Sequence, residues 1–263
     1  MPETLTAFRS GVGAVALMAA MATTAATADE ADAKQILRSM SDYLTAEQSL
    51  AFDYDATLEV VTTEDQKLGL ATSGTVQMTR PDKIRATRTG GFADIEMVFD
   101  GETFSMIGNN LNLYAQMPVS GSVDDLVNTL REDYGRALPA ADLLSATPYD
   151  LMMSEVTDIK DLGAGVIGGK VCDHLAFRTP DVDWQIWIAQ GEEPHPCRYV
   201  ITTHGVSQGP QYRIDIRDWH SGKVPADNTF EFKAPEGASE ITFEEYHGKV
   251  SDMPDNYVKG DTQ

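Results

Sequence analysis

The sequence is short of basic residues. Over 263 residues, 20 Lys and Arg stand against 41 Asp and Glu, which gives a formal net charge of −21 at pH 7. Nucleic-acid binding needs a basic surface to meet the phosphates, and docking onto anionic lipid headgroups needs clustered Lys and Arg. We therefore expect no nucleic-acid partner and no electrostatic attachment to a membrane. Because 42% of the residues are hydrophobic, we still expect a globular fold.

Sequence motifs of catalysis are missing as well. The chain has no G-x-S-x-G, no H-E-x-x-H and no phosphate-binding P-loop, and its histidines are scattered. Two pairs of carboxylates, Asp53 with Asp55 and Asp181 with Asp183, have the chemistry to bind a cation or to transfer protons. A spacing of two within a strand pattern is more typical of the solvent-facing side of a sheet. We expect no enzyme activity, no cofactor and no metal site.

Only one long apolar run is present, near the N-terminus. Arg9 precedes the apolar stretch 11–22, and Ala26-Thr27-Ala28 follows it. A basic residue, a short apolar segment and an A-x-A site are typical of a secretory signal peptide, whereas a transmembrane helix needs about 20 apolar residues. A buried Ala-rich helix is the alternative. We predict cleavage after Ala28 and a soluble, monomeric protein that is exported to the periplasm.

Cysteine is scarce too, since Cys172 and Cys197 are the only two. In an oxidising compartment two thiols usually pair. We therefore predict a disulfide between Cys172 and Cys197, with two separate buried thiols as the alternative. No C-x-x-C or H-x-x-x-H spacing accompanies them, which disfavours a zinc site.

Hydrophobic periodicity changes along the exported chain. Residues 33–46 have helical spacing, and residues 52–60 and 68–80 alternate apolar and polar side chains as half-buried antiparallel strands do. Gly74, in the middle of the second strand, indicates a bulge or a sharp bend. Helical patterns return over 121–157, where Ser122 and Asp125 have the spacing of a capping box. Further strands are predicted at 82–89, 93–99, 102–107, 111–117, 170–178, 183–190, 197–204, 210–219, 228–232 and 240–245.

The order of strands, helices and strands predicts a mainly β (α+β) fold. About ten strands curl rather than stay flat, so we expect a half-closed antiparallel β-barrel. The helices of residues 122–156, here called the lid, would cover its open concave face. The Gly-rich segment 163–169 is predicted to be a turn. The expected division is a signal peptide at 1–28, one domain at 29–246 and a polar tail at 247–263.

Arg80 is a charged residue that the pattern directs towards the apolar side of the sheet. It continues the face of Leu70, Val76 and Met78, and an unpaired buried charge is very costly. Its guanidinium would then meet backbone carbonyls of the lid, a carboxylate or the polar headgroup of a ligand. The alternative is that Arg80, just before Pro81, emerges into solvent.

The stretch 74–117 carries a family resemblance. Its motifs are Gly74-x5-Arg80-Pro81-x3-Arg85, Asp100-Gly101-Glu102-Thr103 and Asn112-Leu113-Tyr114. Together they resemble the corresponding stretch of the LolA/LolB lipoprotein carriers. The resemblance implies a half-closed antiparallel barrel with a helical lid over an acyl-binding cavity. It also implies that Arg80, which matches the arginine of the carriers' Arg-Pro motif, holds the lid through backbone carbonyls.

A larger part of the chain, 33–245, is similar to a family of predicted periplasmic proteins of unknown function (domain of unknown function 2092), grouped with the same superfamily. The LolB-type lipid anchor is missing and this family has no established activity, so lipoprotein transport itself does not carry over. The segments that carry the similarity are Ile36–Leu44, Thr79–Arg88, Leu138–Leu144, His174–Arg178, Asp183–Trp187 and Val200–Thr203.

The combined expectation is a periplasmic binding protein or carrier for an acyl-chain ligand, from a lipid or a lipoprotein, in an apolar barrel cavity. Arg80 would hold the lid or contact the headgroup. The alternative is a cell-envelope sensor or scaffold that binds a protein partner without transporting lipid, in a barrel that side chains fill completely. The residues predicted to hold the acyl chain share the concave face: Phe52, Tyr54, Leu58, Leu70, Val76, Met78, Met97, Phe99 and Leu113.

Overall fold

The structure is a computed structural model that describes residues 30–135, 138, 140–223, 225, 226, 228–250 and 254. The predicted signal peptide lies outside these residues. The helices are α1 (Glu30–Ala46), α2 (Val123–Glu132), a 3₁₀ helix (Ala141–Leu144), α3 (Pro148–Met152) and α4 (Phe243–Lys249). The strands are β1 (Ser49–Val61), β2 (Lys67–Thr79), β3 (Lys83–Gly90), β4 (Asp94–Phe99), β5 (Thr103–Gly108), β6 (Leu113–Pro118), β7 (Asp158–Ile167), β8 (Lys170–Arg178), β9 (Val182–Ala189), β10 (Pro196–Thr203), β11 (Gln211–Ser221) and β12 (Ser239–Glu240).

The twelve strands form one sheet in the order β12-β6-β5-β4-β3-β2-β1-β11-β10-β9-β8-β7. Strands β1 to β6 and strands β7 to β11 pair antiparallel in succession, and β11 returns to pair with β1. The two-residue strand β12 runs parallel to β6. Within the described ranges, β12 and β7 are the two ends of the sheet. The predicted half-closed antiparallel barrel with helices inserted midway is therefore confirmed.

Side chains of successive strands stand in rows across the inner face, because side chains alternate between the two faces of a strand. One row matters most for the site, since it runs through five neighbouring strands. Its members are Phe52, Val76, Ala86, Met97 and Met106.

The core has two large clusters and a small third one that contains Cys172 and Cys197. In the first cluster, α1 contributes Leu37 and Met40, which pack with residues of β8 to β11 such as Ile186. In the second, Leu126 of α2 and Tyr246 of α4 pack with β4 and β5. The predicted capping box begins α2, because the Ser122 hydroxyl accepts from the Asp125 N–H and the Asp125 carboxylate accepts from the Ser122 N–H.

Three predictions of secondary structure are wrong. Most of the segment 163–169 belongs to β7, where a Cβ on Gly165 would lie 2.9 Å from Nε1 of Trp187, so the glycine makes room for the indole. Residues 228–232 form turn and irregular structure rather than a strand. Over 240–245 the strand ends at Glu240 and helix α4 begins at Phe243. Helix α4 ends at Lys249, within the segment from 247 onwards that was predicted to be a polar tail.

The predicted disulfide is not formed in the structure. Cys172 of β8 and Cys197 of β10 are free, buried thiols whose Sγ atoms lie 2.8 Å apart, which is longer than an S–S bond of about 2.05 Å. Burial raises the pKa of the Cys197 thiol to about 12. The two side chains are therefore adjacent, as pairing requires, but are not covalently linked.

Candidate ligand-binding cavity

A cavity of about 230 Å³ lies between the inner face of the sheet and the helices above it. Strands β1 to β5 and β11 form its floor. Helices α1 and α2 and the 3₁₀ helix form its roof, through apolar residues such as Leu44, Leu126 and Leu143. The lid therefore covers an apolar space, and side chains do not fill the barrel completely.

Burial along β2 distinguishes the two ends of this cavity. On its inner face, Leu70 and Thr72 are half-buried, whereas Val76 and Met78 are buried. The end beside Leu70, next to the β1–β2 turn, is here called the mouth, and the end beside Val76 the closed end. Alternate residues of a strand lie about 6.7 Å apart, so the distance from Leu70 to Val76 is about 20 Å.

The cavity lining includes the polar side chains of Tyr54, Thr72, Arg88 and Tyr212. The β2–β3 register places Arg88 opposite Gly74. Gly74 in turn lies opposite Tyr54 of β1. Burial raises the pKa of Tyr54 to about 12 and raises the pKa of Tyr212, while the nearby Arg88 guanidinium opposes both shifts. Both phenols therefore carry their proton at neutral pH.

Gly74 allows Tyr54 to reach across β2 into the neighbouring strand. The Tyr54 hydroxyl donates to the Thr87 carbonyl at 2.9 Å. The Thr75 N–H donates to the Thr87 hydroxyl at 3.0 Å. A Cβ on residue 74 would lie 1.9 Å from the Thr87 carbonyl oxygen and 2.7 Å from the Tyr54 hydroxyl. The irregularity predicted at Gly74 is thus a local opening of the β2–β3 ladder that the tyrosine occupies.

Arg80 follows β2 beyond the closed end of the cavity. Its Nη1 donates to the carbonyls of Leu144 and Ser145, both at 3.0 Å, and its Nε donates to the carbonyl of Leu44 at 3.3 Å. Burial lowers the pKa of the guanidinium, and the Asp124 carboxylate opposes that shift. The side chain therefore points inward, where it connects the end of β2 to the end of α1 and to the lid.

The structure brings together most of the residues predicted to hold an acyl chain. Met78 and Phe99 are instead fully buried in the row that contains Ile84, where they fill the core. Leu113 is half-buried at the start of β6, outside the cavity lining, and lies beside Ser239 of β12. The six that line the cavity are Phe52, Tyr54, Leu58, Leu70, Val76 and Met97.

Arg88 and Tyr212 are among the lining residues that the sequence did not predict. Arg88 has the same parity as Ile84 and Ala86 on β3, and all three line the cavity. This alternation was the sequence signal that Arg88 faces the cavity. The signal was weak because β3 is short and its other face also carries cations.

The paired carboxylates lie outside the cavity lining, and one member of each pair binds a basic side chain. Asp55 forms an ion pair with Arg217 at 2.8 Å, and Asp183 forms one with Arg178 at 2.7 Å. In the described ranges, no group of three or more His, Cys, Asp and Glu residues is placed to hold a metal ion. No helix in the described part of the chain is long and apolar enough to cross a membrane.

Comparison with protein families gives one match. The model of a family described as "Predicted periplasmic protein (DUF2092)" matches residues 33–244. This description agrees with the periplasmic location expected from the sequence. A comparison with curated proteins gave no match.

Solved structures that are similar to this chain include three from different bacteria. The Mycobacterium tuberculosis lipoprotein LppX is 14% identical with a TM-score of 0.39, over 76% of this chain and 100% of that one. The structure of the Pseudomonas aeruginosa MucA/MucB complex is 14% identical with a TM-score of 0.43, over 77% of this chain and 62% of that one. A LolA superfamily protein from Nitrosomonas europaea is 10% identical with a TM-score of 0.36, over 76% of this chain and 97% of that one. At these TM-scores the likenesses carry no argument about function.

Proposed function

The chain belongs to the DUF2092 family of predicted periplasmic proteins, and we propose that it is a binding protein or carrier for an acyl-chain ligand. The observation that carries this proposal is the covered cavity, whose lining is mostly aliphatic and aromatic. Ligand sites of this kind are concave and apolar with a few placed polar groups. Its function is binding, without chemical conversion of the ligand.

The cavity has features that suit a flexible hydrocarbon chain. Its length along β2 is about 20 Å by strand geometry, and its floor includes Met97 and Met106. Methionine side chains adapt their shape to irregular apolar partners. Each buried methylene of a ligand contributes about 0.8 kcal/mol, so affinity comes from chain length rather than from a single contact.

In this proposal Arg80 holds the lid and does not touch the ligand. Its three hydrogen bonds go to backbone carbonyls of α1 and of the lid, and it follows β2 at the far end from the mouth. A guanidinium suits this task because its rigid fork of donors can serve several acceptors at once. The lid then keeps the apolar cavity covered while the mouth admits the chain.

The first test is whether the exported protein carries acyl lipid. We expect native mass spectrometry and lipid extraction of protein purified from the periplasm to detect a bound acyl compound. We also expect the purified protein to bind a fluorescent fatty acid. A clean ligand-free mass together with no binding of the fluorescent fatty acid contradicts the proposal.

A matched pair of variants locates the bound chain. Ala86 is on the cavity floor, so Ala86→Phe fills the space that a ligand needs. Ala71 is exposed on β2, so Ala71→Phe adds the same ring outside the cavity. We expect only Ala86→Phe to reduce the bound lipid, with both variants folded by circular dichroism. Equal binding by both variants contradicts the cavity as the site.

A second candidate function is binding of a protein partner along β7. In the described part of the chain this strand is an end of the sheet, and its Leu162 and Val166 side chains are 50% and 66% exposed. Exposed apolar residues on an edge strand favour pairing with another chain. Lysine at both positions is expected to abolish such a contact and to leave fatty-acid binding unchanged. A cross-linked envelope partner that is lost in this variant, with no acyl ligand in either protein, would favour this function.

A further inference from the structure

The 3₁₀ helix of the lid is held by side chains on two sides. Arg80, which follows β2, donates to the carbonyls of Leu144 and Ser145, both at 3.0 Å. On the other side, the Tyr199 hydroxyl of β10 donates to Oδ2 of Asp142 at 3.0 Å. In the sheet, β2 and β10 are separated by β1 and β11, so the two contacts lie about 14 Å apart along the sheet. A segment held at one point can turn about it, whereas a segment held at two such points cannot.

Tyr199 gives this second contact a fixed support. It is buried in the first core cluster, and its ring packs edge-on against Trp184, with the ring centroids 5.8 Å apart. Trp184 in turn stacks on Phe177, with the centroids 3.9 Å apart. Burial raises the pKa of the Tyr199 phenol well above its ordinary value, and the Asp142 carboxylate adds to that shift. The phenol therefore keeps its proton and is the donor of the pair.

The Asp142 carboxylate accepts hydrogen bonds from neutral donors. Oδ2 accepts from the Tyr199 hydroxyl, and Oδ1 accepts from the Leu143 N–H at 3.2 Å. Burial raises the pKa of this carboxyl, and both hydrogen bonds oppose that shift. A buried carboxylate depends on each donor that it has. Loss of the Tyr199 hydroxyl is therefore expected to free Asp142 to turn towards water, and the 3₁₀ helix with it.

The backbone around Asp142 carries strain and a connection to α2. Ala140, at the start of the 3₁₀ helix, has a φ of 63°, in the left-handed region that residues with a Cβ rarely adopt. Strain of this kind persists only where neighbouring contacts hold it. Beyond the helix, the Ala146 N–H donates to Asp124 of α2 at 3.0 Å. The position of the 3₁₀ helix therefore also sets the position of α2, which contributes Leu126 to the roof.

We propose that Asp142 is a positioning residue of the lid, which through Tyr199 keeps the end of the 3₁₀ helix facing Arg80. The cavity then retains its ligand only while both contacts hold. This inference rests on the proposed function and adds to it the means by which release is controlled. Loss of either contact leaves the 3₁₀ helix free to turn about the other, so the two contacts act as one closure.

The test compares the rate at which a fluorescent fatty acid leaves the wild type and variants of each contact, measured by stopped flow. Tyr199→Phe removes the donor to Asp142, whereas Asp142→Asn keeps an oxygen that accepts from Tyr199. Arg80→Leu is studied alone and together with Tyr199→Phe. The control is Tyr114→Phe, because Tyr114 of β6 also donates to a carboxylate, that of Glu240 in β12, far along the sheet from β10.

We expect Tyr199→Phe to release the fatty acid about fivefold faster than the wild type, which is the effect of one lost hydrogen bond of ordinary strength. Asp142→Asn and the control Tyr114→Phe are expected to release it at nearly the wild-type rate. The double variant is expected to be no faster than Arg80→Leu alone, since a lid that is free at one contact gains little from loss of the other. A contact that merely stabilises the fold would give effects that multiply.

Other results separate the two proposals. If Tyr199→Phe releases the ligand as slowly as the wild type, or if the double variant multiplies the two single effects, the positioning role of Asp142 is wrong and acyl-chain binding stands. If the wild type binds no fluorescent fatty acid, the proposed function fails and this inference fails with it.

Amide hydrogen exchange of the wild type, followed by NMR, gives a test that does not depend on how the variants fold. The Leu143 N–H donates to Asp142, and the Ala146 N–H donates to Asp124. We expect bound fatty acid to slow the exchange of both amides by the same factor, because both bonds break when the lid opens. Unchanged exchange at Leu143, whatever happens at Ala146, contradicts the role of Asp142.

Discussion

The hydroxyl of Tyr54 donates to the backbone carbonyl of Thr87 at 2.9 Å, across the middle of an intervening strand. Strand β1 is thereby linked to β3 over the position where Gly74 of β2 carries no side chain. A side-chain hydrogen bond that replaces a ladder bond satisfies a carbonyl that would otherwise be unpaired. It also brings a tyrosine ring onto the floor of the cavity.

Gly74→Ala is expected to destabilise the fold, because the new Cβ would lie 1.9 Å from the Thr87 carbonyl oxygen. Relief of that overlap requires either a shift of β3 or loss of the Tyr54 hydrogen bond. We expect the free energy of unfolding in urea to fall by about 2 kcal/mol or more. Gly91→Ala is the control, since a Cβ there has no atom within 4 Å. Equal stability of the two variants would contradict the crowding at Gly74.

Arg80→Leu is expected to speed the release of ligand more than it disturbs folding. The variant removes three hydrogen bonds to carbonyls of α1 and the lid, and those carbonyls can turn to water when the lid opens. We expect stopped-flow release of a fluorescent fatty acid to accelerate about tenfold, with Arg80→Lys intermediate. The exposed cation Lys83, changed to Leu, is the control. If Arg80→Leu merely unfolds the protein, its role in holding the lid loses its support.

Cys172 and Cys197 are expected to form a disulfide when the protein folds under oxidising conditions. Their sulfur atoms lie 2.8 Å apart, and joining them transfers two electrons and two protons to an added disulfide oxidant. Burial raises the pKa of Cys197 to about 12, so the reaction should precede complete folding. We expect thiol titration of unfolded protein to find no free thiol after oxidative refolding, and stability to rise by about 3 kcal/mol. The Cys172→Ser/Cys197→Ser variant should be insensitive to oxidant; a gain in its stability would mean that another reaction is responsible.

Asp183 is expected to make folding sensitive to acid. Hydrogen bonds from Arg178, helped by His204, lower the pKa of this carboxyl from 3.8 to about 2 in the folded protein. A lowered folded-state pKa means that the stabilisation is present above the unfolded value and is lost as the pH falls through about 2. We expect Asp183→Asn to be less stable than the wild type at pH 6, with the difference vanishing towards pH 2. The exposed neighbour Asp181, changed to Asn, is the control, and a difference that persists in acid would contradict the ion pair as its cause.

Alternation was sufficient to predict the inner face of β1 and β2. Phe52, Tyr54 and Leu58 project from one side of β1 because the period of a strand is two, and the row partners on β2 follow from the hairpin register. Arg80 could be placed inside for the same reason. These predictions depend on local geometry alone, which the sequence encodes directly.

The parts that were not predicted depend on contacts between distant segments. The glycines of β7 looked like a turn, yet Gly165 is small because Trp187 of β9 packs against it. Residues 240–245 looked like a strand, yet helix α4 begins at Phe243, and Phe243 and Tyr246 are buried in the second core cluster. Arg88 lines a cavity only because the lid covers this face of the sheet. Such roles need the tertiary arrangement of the chain.

Strand β2 carries features of opposite kind at its two ends. Arg80 follows the strand with its bonds to the lid and α1, while Leu70 lies at the mouth, and ten residues of extended chain span about 33 Å. In the proposed function, the point where a ligand would enter is thus remote from the residues that Arg80 connects. We expect substitutions at the mouth to leave the hydrogen bonds of Arg80 to α1 and the lid intact. If the proposed function is correct, a substitution at the mouth can therefore change ligand binding without changing the hydrogen bonds that hold α1 and the lid.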